Sequence, residues 1–231
     1  MFDLQGYGPT IVEGALLTLA VALLSLAIAV ILGLLGAFAK LSGFRALKIL
    51  ASIYTTLIRG VPDLVLMLLV FFGGQVLINQ LLPMVGYDEY VDINPFIAGT
   101  LTIGFIFGAY MTETFRGAML AVPAGQMEAG YAYGMSRRQV TWRILLPQMV
   151  RHALPGFGNN WLVLLKTTAL VSVIGLDDMV RKASLASGAT RQPFTFYIVV
   201  ALGFLVFTTV SILLLRWAEK RYSLGFGVRE N

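Results

Sequence analysis

No cysteine occurs among the 231 residues, and His152 is the only histidine. These absences exclude a disulfide framework, a thiol nucleophile and a thiolate metal site, and leave little for a zinc site or a histidine-based triad. Charge is scarce as well. Only 13% of residues are Asp, Glu, Lys or Arg, where soluble domains carry about 25%. No GxxxxGK phosphate loop followed by Ser or Thr is found, so the chain does not energise any process by its own nucleotide hydrolysis. A low-complexity linker and a second soluble domain are also missing.

Apolar sequence fills the space these absences leave. Hydrophobic residues make up 58% of the chain, and the 26 residues from Gly14 to Ala39 carry no charge. At about 1.5 Å per residue that run exceeds the ~30 Å hydrocarbon core of a bilayer. Five membrane spans are expected, at roughly 14–39, 56–81, 95–121, 156–176 and 194–216. The start of the second is blurred by Arg59, Pro62 and Asp63, after which Leu64 to Leu82 run uncharged. The N-terminus, Met1-Phe2-Asp3-Leu4, lacks a basic n-region, and the first apolar run is too long for an h-region, so a retained span is expected.

Orientation follows from where Lys and Arg fall. The first and third loops and the tail hold Lys40, Arg45, Lys48, Arg137, Arg138, Arg143, Arg151, Arg216, Lys220, Arg221 and Arg229. The second loop has none, and the fourth has Arg181, Lys182 and Arg191. Eleven bases against three predict a periplasmic N-terminus and a cytoplasmic C-terminus. The net charge of +5 is therefore a topological signal and not the footprint of nucleic acid.

The third loop, about 122–155, reads as two short amphipathic helices separated at Gly134. Its apolar residues Tyr131, Tyr133, Met135, Trp142, Ile144 and Leu145 need a partner to cover them. A helix lying on anionic headgroups through Arg137, Arg138 and Arg143 satisfies the same residues, and the physics alone weighs the two evenly.

Within this loop Glu128, Ala129, Gly134, Ile144, Leu146 and Pro147 stand in register with the EAA loop of ABC-importer permeases, with Gly130 in place of the second alanine. The resemblance extends over essentially the whole chain. Arg59-Gly60-Val61-Pro62 and Leu170 to Gly175 are similar to the polar amino acid uptake family. Tyr54 to Met67, Gly108 to Ala118 and Ala153 to Trp161 resemble the Q-type permease subunits of importers for histidine, lysine, arginine and ornithine. The resemblance implies an all-α, integral-membrane chain with the type I ABC importer permease fold, a single permease domain over 1–231 in the bacterial inner membrane. It implies an M-type permease partner in a heterodimer, two copies of an ABC ATPase, a periplasmic amino-acid-binding protein and surrounding membrane lipid. ATP–Mg would sit on the ATPase and no cofactor on this chain, which is then not itself an enzyme. Glu128, Ala129, Gly130, Gly134, Ile144, Leu146 and Pro147 would form the ATPase-coupling surface. Importers of other polar amino acids share this pattern, and a non-transporting membrane scaffold is the alternative from a different class.

Ionisable residues inside a membrane are costly and are functional candidates. Here they are Arg59, Asp63, Glu113, Arg116 and Lys166. Arg59 and Asp63 pair at i,i+4 if Pro62 leaves the turn intact, and Glu113 and Arg116 share a face at i,i+3. One reading is a neutralising structural network, with Lys166 among its members. The other places Asp63 or Glu113 on the path of a cationic substrate, where a carboxylate meets the cation. Asp177 and Asp178 close the fourth span and either meet arriving substrate or lie in a solvated loop. Relatives often carry an acid directly after the Lys166 position; this chain has Thr167 there. Pro155, Gly156 and Gly158 are expected to bend or break the start of the fourth span, or to mark its junction with the preceding loop.

Overall fold

The computed structural model describes residues 4–223, and among them every regular element is helical. Met1 to Asp3 and Arg229 of the basic tail lie outside the described residues. The first apolar run forms α1 (Gly8–Leu41), longer at both ends than its uncharged stretch. A three-residue turn leads into α2 (Arg45–Gly60). The chain then breaks at Val61 (φ −112°, ψ 138°) because the following Pro62 disfavours helical backbone at the residue before it. A second helical run begins at Asp63. It comprises α3 (Asp63–Leu68), a π-helical turn at Leu69–Gly73, α4 (Gly74–Leu81) and a closing 3-10 turn at Leu82–Val85. The expected start at residue 56 is therefore corrected: residues before Gly60 belong to a separate helix.

The remaining elements are α5 (Pro95–Leu120), α6 (Ala124–Ala132), α7 (Arg137–Val140), α8 (Leu146–Thr167), α9 (Met179–Thr190) and α10 (Pro193–Ser223). A π-helical turn at Thr141–Leu145 joins α7 to α8, and a 3-10 turn at Thr168–Ser172 follows α8. The fourth span thus starts about ten residues earlier than expected. Pro155 sits inside a continuous helix, so neither the break nor the loop junction expected there exists. Proline is tolerated in such helices because neighbouring elements re-satisfy the freed backbone groups. The fourth loop contains α9.

Side-chain contacts fix the relative directions. Ser25 donates to the Thr100 carbonyl, Ile28 and Leu32 of α1 press on Gly104 and Gly108 of α5, and Met111 and Thr112 press back on Gly33 and Gly36. Residue numbers rise together, so α1 and α5 run parallel. Each helix offers glycines to the bulky residues of the other, the close approach that small residues allow in membranes. Against α5, α8 runs antiparallel, with Gly99 meeting Val171 and Gly156 meeting Thr114. In turn α10 runs antiparallel to α8, with Gly158 against Leu215 and Phe196 edge-on to Tyr7 at 5.9 Å. These four helices therefore run between the same two ends, α8 in the direction opposite to α1, α5 and α10. Among the described residues, four runs are long and apolar enough to cross a membrane: Gly8–Leu41, Asp63–Val85, Pro95–Leu120 and Pro193–Tyr222. Helix α8 is not among them and is more polar, because it carries Arg151, His152, Asn159, Asn160 and Lys166. The core lies around α5, where Phe107, Ile103, Ile106, Met111 and Leu164 of α8 are almost wholly enclosed.

Candidate functional site

One end of the bundle gathers the ends of α1, α5 and α10 with α6, α7 and the start of α8. Here residues 123–147 make a helical hairpin. Its first arm, α6, stops because Gly134 adopts φ +76°, a left-handed backbone that glycine enters at no steric cost. The Gly134 and Met135 amides donate back to the carbonyls of Tyr131 and Gly130 at 2.9 and 3.1 Å. Ser136 opens the second arm with a reciprocal cap. Its hydroxyl accepts from the Gln139 amide, and its own amide donates to the Gln139 side chain at 2.8 Å.

Gly130 closes the hairpin. A Cβ at this buried position would lie 2.6 Å from Ile144 Cδ1 and 3.1 Å from Val140, so the departure from the alanine of the resembled motif seats α6 directly on the second arm. Ile144 and Leu146 are half-buried, while Glu128, Ala129 and Pro147 are exposed. Tyr133 (87% exposed), Trp142 (65%) and Tyr131 (48%) form the uncovered apolar part of the hairpin. Glu128 makes none of the ion pairs found among the described residues. The local reason for glycine at 134 is therefore the turn, where a Cβ would meet nothing within 4 Å.

Beside the hairpin, a charge node sits where α1, α2 and α5 meet. The Lys40 ammonium donates to Glu113 Oε1 and also, at 2.6 Å, to Thr55 Oγ1. From the same helix Arg116 reaches Glu113 Oε2 at 2.9 Å. One carboxylate thus holds two cations, and Lys40 and Glu113 are only 12% and 21% exposed. The i,i+3 spacing exposed the Arg116 partner in the sequence; no spacing signal points to Lys40, which lies 73 residues away.

Arg59 and Asp63 do not form an i,i+4 pair, because Pro62 separates them onto different helices. The Arg59 guanidinium instead lies over the Tyr110 ring, 5.4 Å from its centroid. Asp63, half-buried, is the first residue of α3, where a carboxylate complements the positive end of the helix dipole. Lys166 is exposed in the last turn of α8 and joins none of the ion pairs found among the described residues. Nearby, Asn160 of α8 donates to Thr114 of α5 at 2.9 Å, a polar contact between helices that sequence reading did not single out.

At the opposite end, Asp177 is exposed and pairs with Arg181 at 3.1 Å. Asp178 is completely enclosed and caps α9 by accepting from the Arg181 amide at 2.9 Å. Its second oxygen, Oδ2, is buried without a hydrogen-bond partner. Burial raises this carboxyl to about 6, against the backbone donors and Arg181, which pull it down. Gly14 of α1 permits this seat, since a Cβ there would lie 2.8 Å from the Asp178 backbone. Asp177 and Asp178 are adjacent in sequence but meet different surroundings.

Residues 29–224 match the family described as binding-protein-dependent transport system inner membrane component. The histidine/lysine/arginine/ornithine transport system permease protein HisQ of Escherichia coli (strain K12) is 53% identical over 222 residues, covering 96% of this chain and 97% of HisQ. The octopine transport system permease protein OccQ of Rhizobium radiobacter is 44% identical over 224 residues, 97% of this chain and 94% of OccQ. Among solved structures, an amino acid ABC transporter with histidines superposes with a TM-score of 0.79 at 32% identity, covering 96% of this chain and 99% of that one. The inward-facing MetNI methionine ABC transporter shares the fold at a TM-score of 0.68 and 15% identity, covering 93% of this chain and 95% of its own.

Proposed function

Because this chain belongs to the family of binding-protein-dependent transport system inner membrane components, a HisQ-like permease subunit of an amino acid ABC importer and not an enzyme, we propose that it carries basic amino acids inward as one half of a permease heterodimer. Five passes cross the membrane, with the N-terminus periplasmic and the hairpin end cytoplasmic. The partner is an M-type permease. Two ATPase copies bind ATP–Mg, and a periplasmic binding protein delivers histidine, arginine, lysine or ornithine. Names of the relatives support the substrate class, since HisQ is named for all four and a Haemophilus influenzae relative, 41% identical over 209 residues, for arginine.

The observation that carries the coupling role is the hairpin itself: a capped, internally packed unit whose Tyr131, Tyr133 and Trp142 remain uncovered. Such a rigid lever, seated in an ATPase groove through Glu128 to Pro147, transmits closure into α8 and rocks the spans about a central site. The start of α8 is continuous with the second arm, which gives that movement a direct route. In this reading Lys40, Glu113 and Arg116 are structural, and Asp63 is the acid that senses the substrate cation. Asp178 is fully enclosed and has no part in the path; Asp177 remains exposed at the periplasmic mouth.

The test is reconstitution of the complex with its ATPase and binding protein in liposomes. ATP-dependent uptake of labelled arginine, lysine, ornithine or histidine is expected. Uptake of a different polar amino acid alone would replace the substrate class, and failure of any ATPase to co-purify, with no uptake, would leave a scaffold. The absence of native cysteine gives single-cysteine topology mapping a clean background. A membrane-impermeant maleimide should reach a cysteine at position 88 from the periplasm, and one at position 137 only after lysis.

A further inference from the structure

A cleft of about 240 Å³ lies between the ends of α1, α2 and α5, lined by Lys40, Leu41, Lys48, Ser52 and Arg116. It shares Lys48 and Ser52 with an open groove along α2 that Arg45, Ile49 and Ile53 complete. These α2 residues recur at i, i+3, i+4, i+7 and i+8, one continuous helix face. Four cations therefore converge on a region whose carboxylate, Glu113, is already occupied by Lys40 and Arg116. Arg45 and Lys48 are exposed and form none of the ion pairs found among the described residues. The apolar side chains beside them are equally uncommitted, with Ile49 55% and Ile53 50% exposed.

From this geometry we propose that the cleft binds the phosphodiester of an anionic glycerophospholipid, with an acyl chain lying along Ile49 and Ile53. Lys48, Arg116 and the Ser52 hydroxyl supply donors suited to phosphate oxygens. Leu41 at the rim and the isoleucines along the groove supply a track that a free anion would not use. A basic cleft between helices at a membrane boundary combines the two features by which such lipids are recognised. The position at the cytoplasmic headgroup level rests on the orientation proposed above. The cluster itself does not, because contacts between α1, α2 and α5 define it.

The whole transporter complex is extracted from bilayers of phosphatidylcholine containing phosphatidylglycerol as a minor component, and the retained lipids are counted by native mass spectrometry. Enrichment of phosphatidylglycerol over its bilayer share is expected. Arg45→Gln and Lys48→Gln should each reduce it about fivefold, the effect of about one basic residue at a membrane surface. Lys48→Arg should keep it. Both positions are exposed, so the variants fold, and co-purification of all subunits checks this. No enrichment in the unaltered complex, or equal enrichment in the Arg45→Gln/Lys48→Gln variant, overturns the site. Displacement of the lipid by inorganic phosphate, with phosphate retained in its place, would make it a free-anion site and overturn it too. Loss of the ATPase from the double variant with lipid enrichment unchanged would assign the face to protein docking instead. Maleimide access to a cysteine at position 48 scores the orientation separately: labelling from the periplasm refutes the topology while the lipid count still decides the cleft.

Discussion

Lys40, in the last turn of α1, holds Glu113 of α5 across the junction of two helices that run parallel for most of their length. Arg116 approaches the other carboxylate oxygen, and Thr55 of α2 accepts from the same lysine. Three helices are tied at one point by groups that are mostly enclosed. Glu113→Gln leaves two cations without a carboxylate and is expected to destabilise by about 3 kcal/mol, the range for breaking a buried pair. Lys40→Met combined with Glu113→Gln should recover at least part of that loss, since one stranded charge is gone. Thermal unfolding of the detergent-solubilised complex measures both. If the two losses simply add, the pair is not coupled.

Gly134 separates two properties that a single substitution confounds. Its φ of +76° is tolerated by Asn and Asp better than by other residues. Gly134→Asn and Gly134→Asp should therefore both leave the spans folded. Only the aspartate adds a negative charge to the hairpin turn. Uptake in liposomes is expected to be reduced at least severalfold by Gly134→Asp and much less by Gly134→Asn. Normal uptake by Gly134→Asp would remove the coupling role assigned to the hairpin.

Asp63 starts α3 immediately after the break at Pro62, next to the helix that carries Arg59. Arg59 is engaged with Tyr110, which leaves Asp63 outside the ion pairs found among the described residues. Asp63→Asn should depress uptake of arginine and lysine more than that of histidine, which is largely neutral above its usual pKa of about 6.5. Competition assays at pH 8 give the comparison. Equal loss for all three substrates would point to a structural carboxylate.

Asp178 yields a pH dependence of defined sign. Its carboxyl titrates near 6 in the folded chain against an ordinary 3.8, so the folded state holds the proton more tightly. The contribution is greatest below pH about 4 and is lost as pH rises to about 6, a change on the order of 3 kcal/mol. Asp178→Asn keeps the helix cap, because asparagine caps about as well, and removes the buried charge. The variant should melt at a higher temperature than the parent at pH 8 and at nearly the same temperature at pH 4. A parent that is more stable than the variant at pH 8 would show that the ionised form is the favoured one.

Much of the architecture was legible in the linear chain because a bilayer imposes a simple rule. Uncharged runs of sufficient length must become helices whose backbone groups are satisfied within themselves. That rule located α5 to within a residue at each end, while α1 starts six residues before and α10 ends seven residues after the expected spans. The hairpin was legible for a local reason as well. Gly134 marked the separation of its two arms, and the structure adds the Ser136–Gln139 cap that restarts the helix without help from distant residues. The fourth run was harder to read. Pro155 and its neighbouring glycines suggested an interruption, whereas helix packing carries the backbone through them.

By itself, then, the sequence determined an all-helical inner-membrane permease, the bias of basic residues toward the hairpin side and the motif that places it in its family. Those properties depend on composition and short spacing. Tertiary structure alone decided that Lys40 meets Glu113 across 73 residues, that Arg59 turns to Tyr110 and away from Asp63, and that Asp178 is enclosed while Asp177 is not. It also converted three bases counted only for topology, Lys40, Arg45 and Lys48, into walls of one cleft and its adjoining groove. The physical reason is common to all four cases: a charge in or beside a membrane takes its role from what the packed helices bring within a few ångströms, and spacing along the chain does not encode that.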